Sequence, residues 1–261
     1  MRNIHNSTHN FSGGISLYAP SDYRSQIPIP VGVRGTANGW KSYYWDFAGA
    51  KHSWASDLNG VEYTETGAGA TVAAAAAYAH GLTITLDGTD NDSVSLQHLT
   101  PQIVVARDKD FWMETRLETT KSTIIEAAWY VGLSSDQGTT KTDFIDEAAT
   151  EFLADDMIGW GSPLAGNGFI DFFYHSGDVD QIVVTGQTQV TAVEVKLGMF
   201  YDSSDRTLQL YQDDVLIVNH NVQVLAWPTT TDPLGLHIYL ENESAEASIM
   251  GVQYLSIAQE L

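Results

Sequence analysis

Short runs in which apolar and polar residues alternate strictly constrain this chain more than any other feature. Leu82-Thr83-Ile84-Thr85-Leu86 places three aliphatics on one side and two threonines on the other. Phe111, Met113, Thr115 and Leu117 share one face, while Trp112, Glu114, Arg116 and Glu118 share the opposite face. Val193, Val195, Leu197, Met199 and Tyr201 repeat the pattern, as do Leu236, Ile238 and Leu240. Leu208 to Tyr211 and Val215 to Val218 flank Gln212-Asp213-Asp214, which predicts a hairpin, and Val252 to Ile257 reads as a last strand. A period of two is the spacing of a half-buried strand. Seven Trp, twelve Tyr and nine Phe suit pleated surfaces better than helices. The expected fold is an all-β sandwich of two antiparallel sheets. One short helix is expected over residues 143–153, where Phe144, Ala148 and Phe152 fall four apart and acids crowd the first turn. The alanines at 73–77 are too few to hold a helix by propensity, so packing decides that segment. No internal repeat suggests a propeller or solenoid.

Charge divides the chain. Residues 1–60 hold five Lys/Arg against three Asp/Glu (+2), and residues 61–261 hold seven against thirty (−23). The first segment, rich in Asn, Ser, Gly and Pro, reads as an irregular, extended N-terminal arm, and 61–261 as the β-sandwich domain. The arm also carries Tyr18, Tyr23, Trp40, Tyr43, Tyr44, Trp45, Phe47 and Trp54, more aromatic surface than a solvated linker needs. It is expected to dock, either on its own sandwich or on a neighbouring subunit. The net charge of −21 is opposite to what a nucleic-acid binder or an anionic membrane surface requires. Without cysteine there is no disulfide and no thiolate chemistry. The polar start MRNIHNSTHNFSGG lacks the apolar core of a secretion leader.

Candidate chemistry is sparse. Glu114 and Glu118 share a strand face, but Arg116 lies between them, so this face is expected to meet water. Asp87, Asp90, Asn91 and Asp92 form an acidic turn with the composition of a cation site, although not the spacing of an EF-hand; Asp171, Asp178 and Asp180 form a second acidic group. Such residues also favour turns for backbone reasons alone. His5 and His9 sit in a polar tail, the other histidines are scattered, and no nucleophile elbow or phosphate-binding loop is present. No cofactor is expected. Trp129, Trp160 and Trp227 read as core, whereas Trp112 falls on the polar face of its strand and is the candidate exposed, glycan-stacking aromatic.

From about residue 80 to 261 the chain resembles the concanavalin A-like, laminin-G-like jelly-roll domains, in particular those among the structural proteins of tailed-bacteriophage virions. The resemblance is carried by Phe111 to Leu117, Trp129-Tyr130-Val131-Gly132-Leu133, Asp156-Met157-Ile158-Gly159-Trp160, Val195 to Tyr201, Leu208 to Val218, Trp227, Pro233 to Ile238 and the terminal strand ending in Ile257-Ala258. It implies two packed jelly-roll sheets and a non-enzymatic virion role: a head decoration or cement protein, made in the host cytoplasm and carried on the outer capsid surface. Its partners would then be the major capsid protein and copies of itself, in a homo-oligomer such as a trimer, with Tyr18, Tyr23, Arg24, Arg34, Trp40, Tyr43, Tyr44 and Trp45 as contact residues. The alternatives are a carbohydrate-binding fibre or tail adhesin and, more distantly, a glycan hydrolase; the Glu-x-Asp-x-(x)-Glu strand of the glucanases of this fold is absent.

Overall fold

The computed structural model describes residues 35–37, 40–47, 61–67, 69–74, 81–89, 92–98, 103–121, 127–135, 144, 152, 156–162, 168–176, 179–188, 190, 192–222, 226–228, 233–242 and 247–260. In chain order its strands are β1 (Gly35–Ala37), β2 (Trp40–Asp46), β3 (Val61–Thr66), β4 (Thr71–Ala74), β5 (Leu82–Thr85), β6 (Ser93–His98), β7 (Phe111–Lys121) and β8 (Ala127–Ser134). They continue with β9 (Asp156–Ser162), β10 (Phe169–Ser176), β11 (Val179–Thr188), β12 (Val195–Asp202), β13 (Thr207–Gln212), β14 (Val215–Asn221), β15 (Gly235–Asn242) and β16 (Ser248–Glu260). Among the described residues there is no helix. Most of 143–153 lies outside them.

The strands form two antiparallel sheets. One runs β1-β2-β16-β7-β12-β13-β14, with β5 also on β16 and β4 on β5; the other runs β11-β10-β9-β8-β15-β6-β3. Many neighbours are far apart in sequence, as in a jelly roll. The last strand ties the first sheet together. One edge of β16 pairs with β7 along nearly its whole length. Its other edge is shared: Ile249 to Val252 pair with β5, and Tyr254 to Glu260 with β2. The register shifts between Val252 and Tyr254, where the partner changes, and Gln253 O accepts the Phe47 amide at 2.9 Å.

Between the sheets lies one large apolar core. Phe111, Met113 and Leu117 from β7, Leu197 and Met199 from β12, and Leu255 and Ile257 from β16 meet Trp129, Val131 and Leu133 from β8 and Ile238 and Leu240 from β15. Each fully buried large side chain of this kind contributes about 1.5–3 kcal/mol relative to exposure. Trp129, Trp160 and Trp227 join this core as expected. The β13–β14 hairpin also forms as expected, and its turn residues Asp213 (φ 50°) and Asp214 (φ 68°) both adopt the left-handed conformation that a two-residue turn demands.

Two expectations are corrected. Residues 35–37 and 40–46 are not irregular: β2 is a full strand of the sandwich, and Tyr43 and Trp45 pack against the core, their rings stacked 6.1 Å apart. Tyr18, Tyr23, Arg24, Arg34 and Trp54, and the side chains of Trp40 and Tyr44, lie outside the described residues. Trp112 is not exposed: none of it reaches solvent. Its strand face looks polar in β7 alone, but Phe200 of β12 and Ala258 of β16 sit beside it across the ladder. Trp112→Ala is therefore expected to lower the unfolding free energy in urea by about 3–5 kcal/mol. A loss of only a few tenths would mean the ring is exposed after all.

Candidate functional site

The outer face of the seven-stranded sheet is where a sandwich of this shape offers a broad surface, and here it is occupied by the chain itself. Three glycines thin the sheet. A Cβ on Gly159 would lie 2.6 Å from the Tyr130 ring, one on Gly132 2.6 Å from its hydroxyl, and one on Gly161 2.9 Å from Phe152 Cζ. Into this trough fit Tyr130, Phe144 and Phe152, which with Ala128, Met157, Phe173 and Tyr239 make a second buried apolar cluster. Ring centroids are 5.2 Å apart for Tyr130–Phe144, 5.0 Å for Phe144–Phe152 and 4.8 Å for Phe152–Phe173. Burial raises the Tyr130 hydroxyl well above its usual pKa, and it donates to Leu133 O at 2.7 Å.

Beneath Phe144 lies His237, fully buried, with the two rings edge to face at 4.2 Å. Ser134 Oγ is 3.0 Å from Nδ1, and Ser95 Oγ (3.0 Å) and Gln97 Nε2 (3.2 Å) approach Nε2. An amide nitrogen only donates, so Nε2 accepts and Nδ1 carries the proton toward Ser134. Two serine hydroxyls on one imidazole are the parts of an acyl-transfer site, but Ser95 and Ser134 are themselves buried under the aromatic cluster. Sequence reasoning missed this group. Its members come from three strands far apart in sequence, and its only trace in the sequence is the set of polar residues at outward positions of β6, β8 and β15.

The outer face of the nine-stranded sheet is buried around Trp112 and Glu114. Glu114, expected to face water, is 2% exposed. It accepts from Tyr254 Oη at 2.6 Å and lies 3.9 Å from Lys196 Nζ, which also pairs with Asp214. Burial pushes the Glu114 carboxyl up to about 8, against the opposing pull of the Lys196 ammonium and the Tyr254 hydroxyl. Arg116, beside Glu114 in the sequence pattern, holds Glu194 at 3.0 Å. Asp171 from the second acidic group anchors the irregular stretch of β11, accepting the Thr185 amide at 3.0 Å.

Of the first acidic turn, Asp90 and Asn91 lie outside the described residues. Asp87 is exposed and Asp92 buried, and the two carboxyls lie close enough to influence each other's ionisation. Hydrogen bonds from Thr89 lower Asp87, while burial and then Asp87 itself raise Asp92. Among the described residues no three His, Asp or Glu side chains gather as a metal site.

One flank is open and apolar. β11 and β14 end their respective sheets and lie against each other. Ile182, Val184, Val215 and Leu216 on these strands, and Val190 and Val193 in the connection to β12, are exposed, Val184 by 66% and Val215 by 63%. A cavity of about 50 Å³ enters the core here between Leu117, Ile170 and Val195.

No protein-family model and no curated protein matches the chain. Solved structures do. A protein of unknown function from Shewanella oneidensis MR-1 is 13% identical, with a TM-score of 0.54 over 86% of this chain and 88% of that one. Peanut lectin is 11% identical, with a TM-score of 0.55 over 84% of this chain and 97% of the lectin. The apo Crh5 transglycosylase is 15% identical, with a TM-score of 0.50 over 84% and 83%. At such identities the likeness defines the fold alone: this is a lectin-like, concanavalin A-like jelly-roll sandwich.

The Glu114 environment carries a pH signature. A carboxyl that titrates near 8 when folded and near 4.5 when unfolded keeps an extra proton in the native state between those values. Its contribution to stability is therefore present at low pH and declines as pH rises from about 4.5 to 8. The difference in unfolding free energy between the wild type and Glu114→Gln should shift in favour of the variant across that window; a pH-independent difference would mean Glu114 is ionised throughout.

Proposed function

We propose that this chain is a non-catalytic virion structural protein, a head decoration protein of a tailed phage. It would bind the major capsid protein and copies of itself as a homo-oligomer such as a trimer on the outer capsid surface. The observation that carries a protein-binding role is the open apolar flank of β11, β14 and the Val190–Val193 connection. Apolar side chains left exposed along two neighbouring edge strands mark protein contacts, and they stand out on a chain of charge −21. The resemblance to phage structural domains supplies the setting. The acidic body faces solvent, and residues 1–34, with Tyr18, Tyr23, Arg24 and Arg34, reach the shell or a neighbouring copy. Enclosure of Ser95, Ser134 and His237 speaks against catalysis at the outer face of the seven-stranded sheet.

A second reading, a glycan-binding adhesin, is favoured by the lectin-like fold. With Trp112 buried, it needs a surface other than the one first expected.

Particles that carry this chain separate the two. Quantitative gels and electron microscopy are expected to find stoichiometric copies on the head. Paired Val184→Asp and Val215→Asp substitutions, or removal of residues 1–34, which spares β1 and β2, should reduce rebinding to stripped particles at least tenfold. Absence from heads together with saturable glycan binding would favour the adhesin.

A further inference from the structure

At one end of the sandwich the inward-facing positions change from apolar to polar on four strands at once. In β6 and β15, Val94, Leu96, Ile238 and Leu240 face the core, and the next inward positions at this end are Asp92 and Asn242. In β16, Met250 and Val252 face the core and Ser248 precedes them. In β3, Tyr63 packs on the core and Glu65 follows, accepting the Tyr63 hydroxyl at 2.5 Å and the Ala70 amide at 3.0 Å. Backbone bonds bring these ends together. Asn242 N donates to Asp92 O at 2.9 Å, and Leu86 N, one residue before Asp87, donates to Ser248 O at 2.9 Å.

These side chains are enclosed yet unsatisfied. Asp92 is 3% exposed, Asn242 0% and Ser248 1%. Asp92 Oδ2, both amide atoms of Asn242 and Ser248 Oγ make no hydrogen bond. Buried polar atoms in native proteins are nearly always paired, with ordered water or an ion when not with protein. An asparagine with neither end bonded inside a core is a conspicuous departure from that rule. The β3–β4 connection closes directly over the carboxylates. Gly67 (φ +90°) and Gly69 (φ +106°) adopt conformations that side chains rarely take, and a Cβ at either would strike Asp92 Oδ1 at 1.7 Å or Asp87 Oδ2 at 2.1 Å.

We propose that this end of the sandwich is a cation site in which the carboxylates of Asp87 and Asp92 and the amide oxygen of Asn242 hold a hard divalent ion, calcium by preference. The donors are all oxygen, and two carboxylates balance a divalent charge. Ligands drawn from separate connections suit the flexible, high-coordination geometry of calcium better than the rigid octahedron of magnesium. Asp87, exposed, gives the ion its entry, while Asp92 and Asn242 fix it to the two strands of the seven-stranded sheet. Ser248, on β16, extends the donor set to the other sheet, so the ion would clamp the two layers where the core runs out. This assignment is independent of the decoration or adhesin reading. It replaces the contiguous acidic turn expected from the sequence with a set gathered from 87, 92 and 242.

The test uses the full chain after exhaustive chelation. Calorimetric titration with calcium chloride, matched against magnesium chloride, is expected to reveal one saturable calcium site, and thermal unfolding to shift upward with calcium concentration. Asp87→Asn, at an exposed position that leaves the core intact, should weaken calcium affinity at least tenfold. Asn242→Asp, which keeps the ligand oxygen, should retain or strengthen binding. Three results would overturn the proposal: no saturable calcium binding to the wild type, an unchanged affinity in Asp87→Asn, or equal responses to magnesium and calcium that follow ionic strength alone. The last would mark diffuse attraction to an acidic surface.

Discussion

The ladder between β16 and β7 is the interaction on which the remaining architecture depends. It joins the end of the chain to its middle, and through it β2, β5 and β12 all find their places. An antiparallel pairing over so large a sequence separation carries a loop-closure cost that local contacts do not repay. The core residues it brings into line, Met113 and Leu117 against Val252 and Ile257, supply the return. The shift at Gln253 is what allows one strand to serve two successive neighbours on its free edge.

Parts of this were legible in the sequence. The strands with clean alternation were, because one face of each meets a dry core and the other does not. The Asp213-Asp214 hairpin was, because its turn chemistry is local. Trp112 and Glu114 were misread for one reason: the second face of β7 is also buried, and its cover comes from β12 and β16, which no inspection of residues 111–118 reveals. β2 was obscured by the Gly-, Ser- and Pro-rich chain around it. The spacing of Tyr43, Trp45 and Phe47, two apart and all aromatic, was nevertheless a strand signal. Phe144 and Phe152 were paired by a helical spacing; both indeed share a partner, Tyr130, on a sheet face.

The candidate sites were harder to read. His237 with Ser95 and Ser134, and Asp92 with Asn242, join residues more than a hundred positions apart and share no motif spacing. His237, Ser95 and Ser134 stand at outward positions, where the alternation allows polar residues but the face is buried, and Asp92 and Asn242 stand at the last inward place of their strands. Among the described residues, the centres of both outer sheet faces are buried, and apolar side chains are exposed on β11, β14 and the connection to β12. Chemistry-bearing groups lie inside, and the accessible apolar surface lies at the edge strands. That distribution suits a protein whose work is to be held against another surface rather than to admit a small substrate.

The central claim is that Phe144 and Phe152 seal the outer face of the seven-stranded sheet. Nuclear Overhauser contacts from the Phe144 ring to the His237 ring and to Tyr130 test it most directly, since those centroids are 4.2 Å and 5.2 Å apart. Strong cross-peaks, with a His237 ring that does not respond to added glycans or to small acylating reagents, are the predicted result. Missing cross-peaks, with a His237 ring open to reagent, would contradict the account and return that face to consideration as a binding cleft.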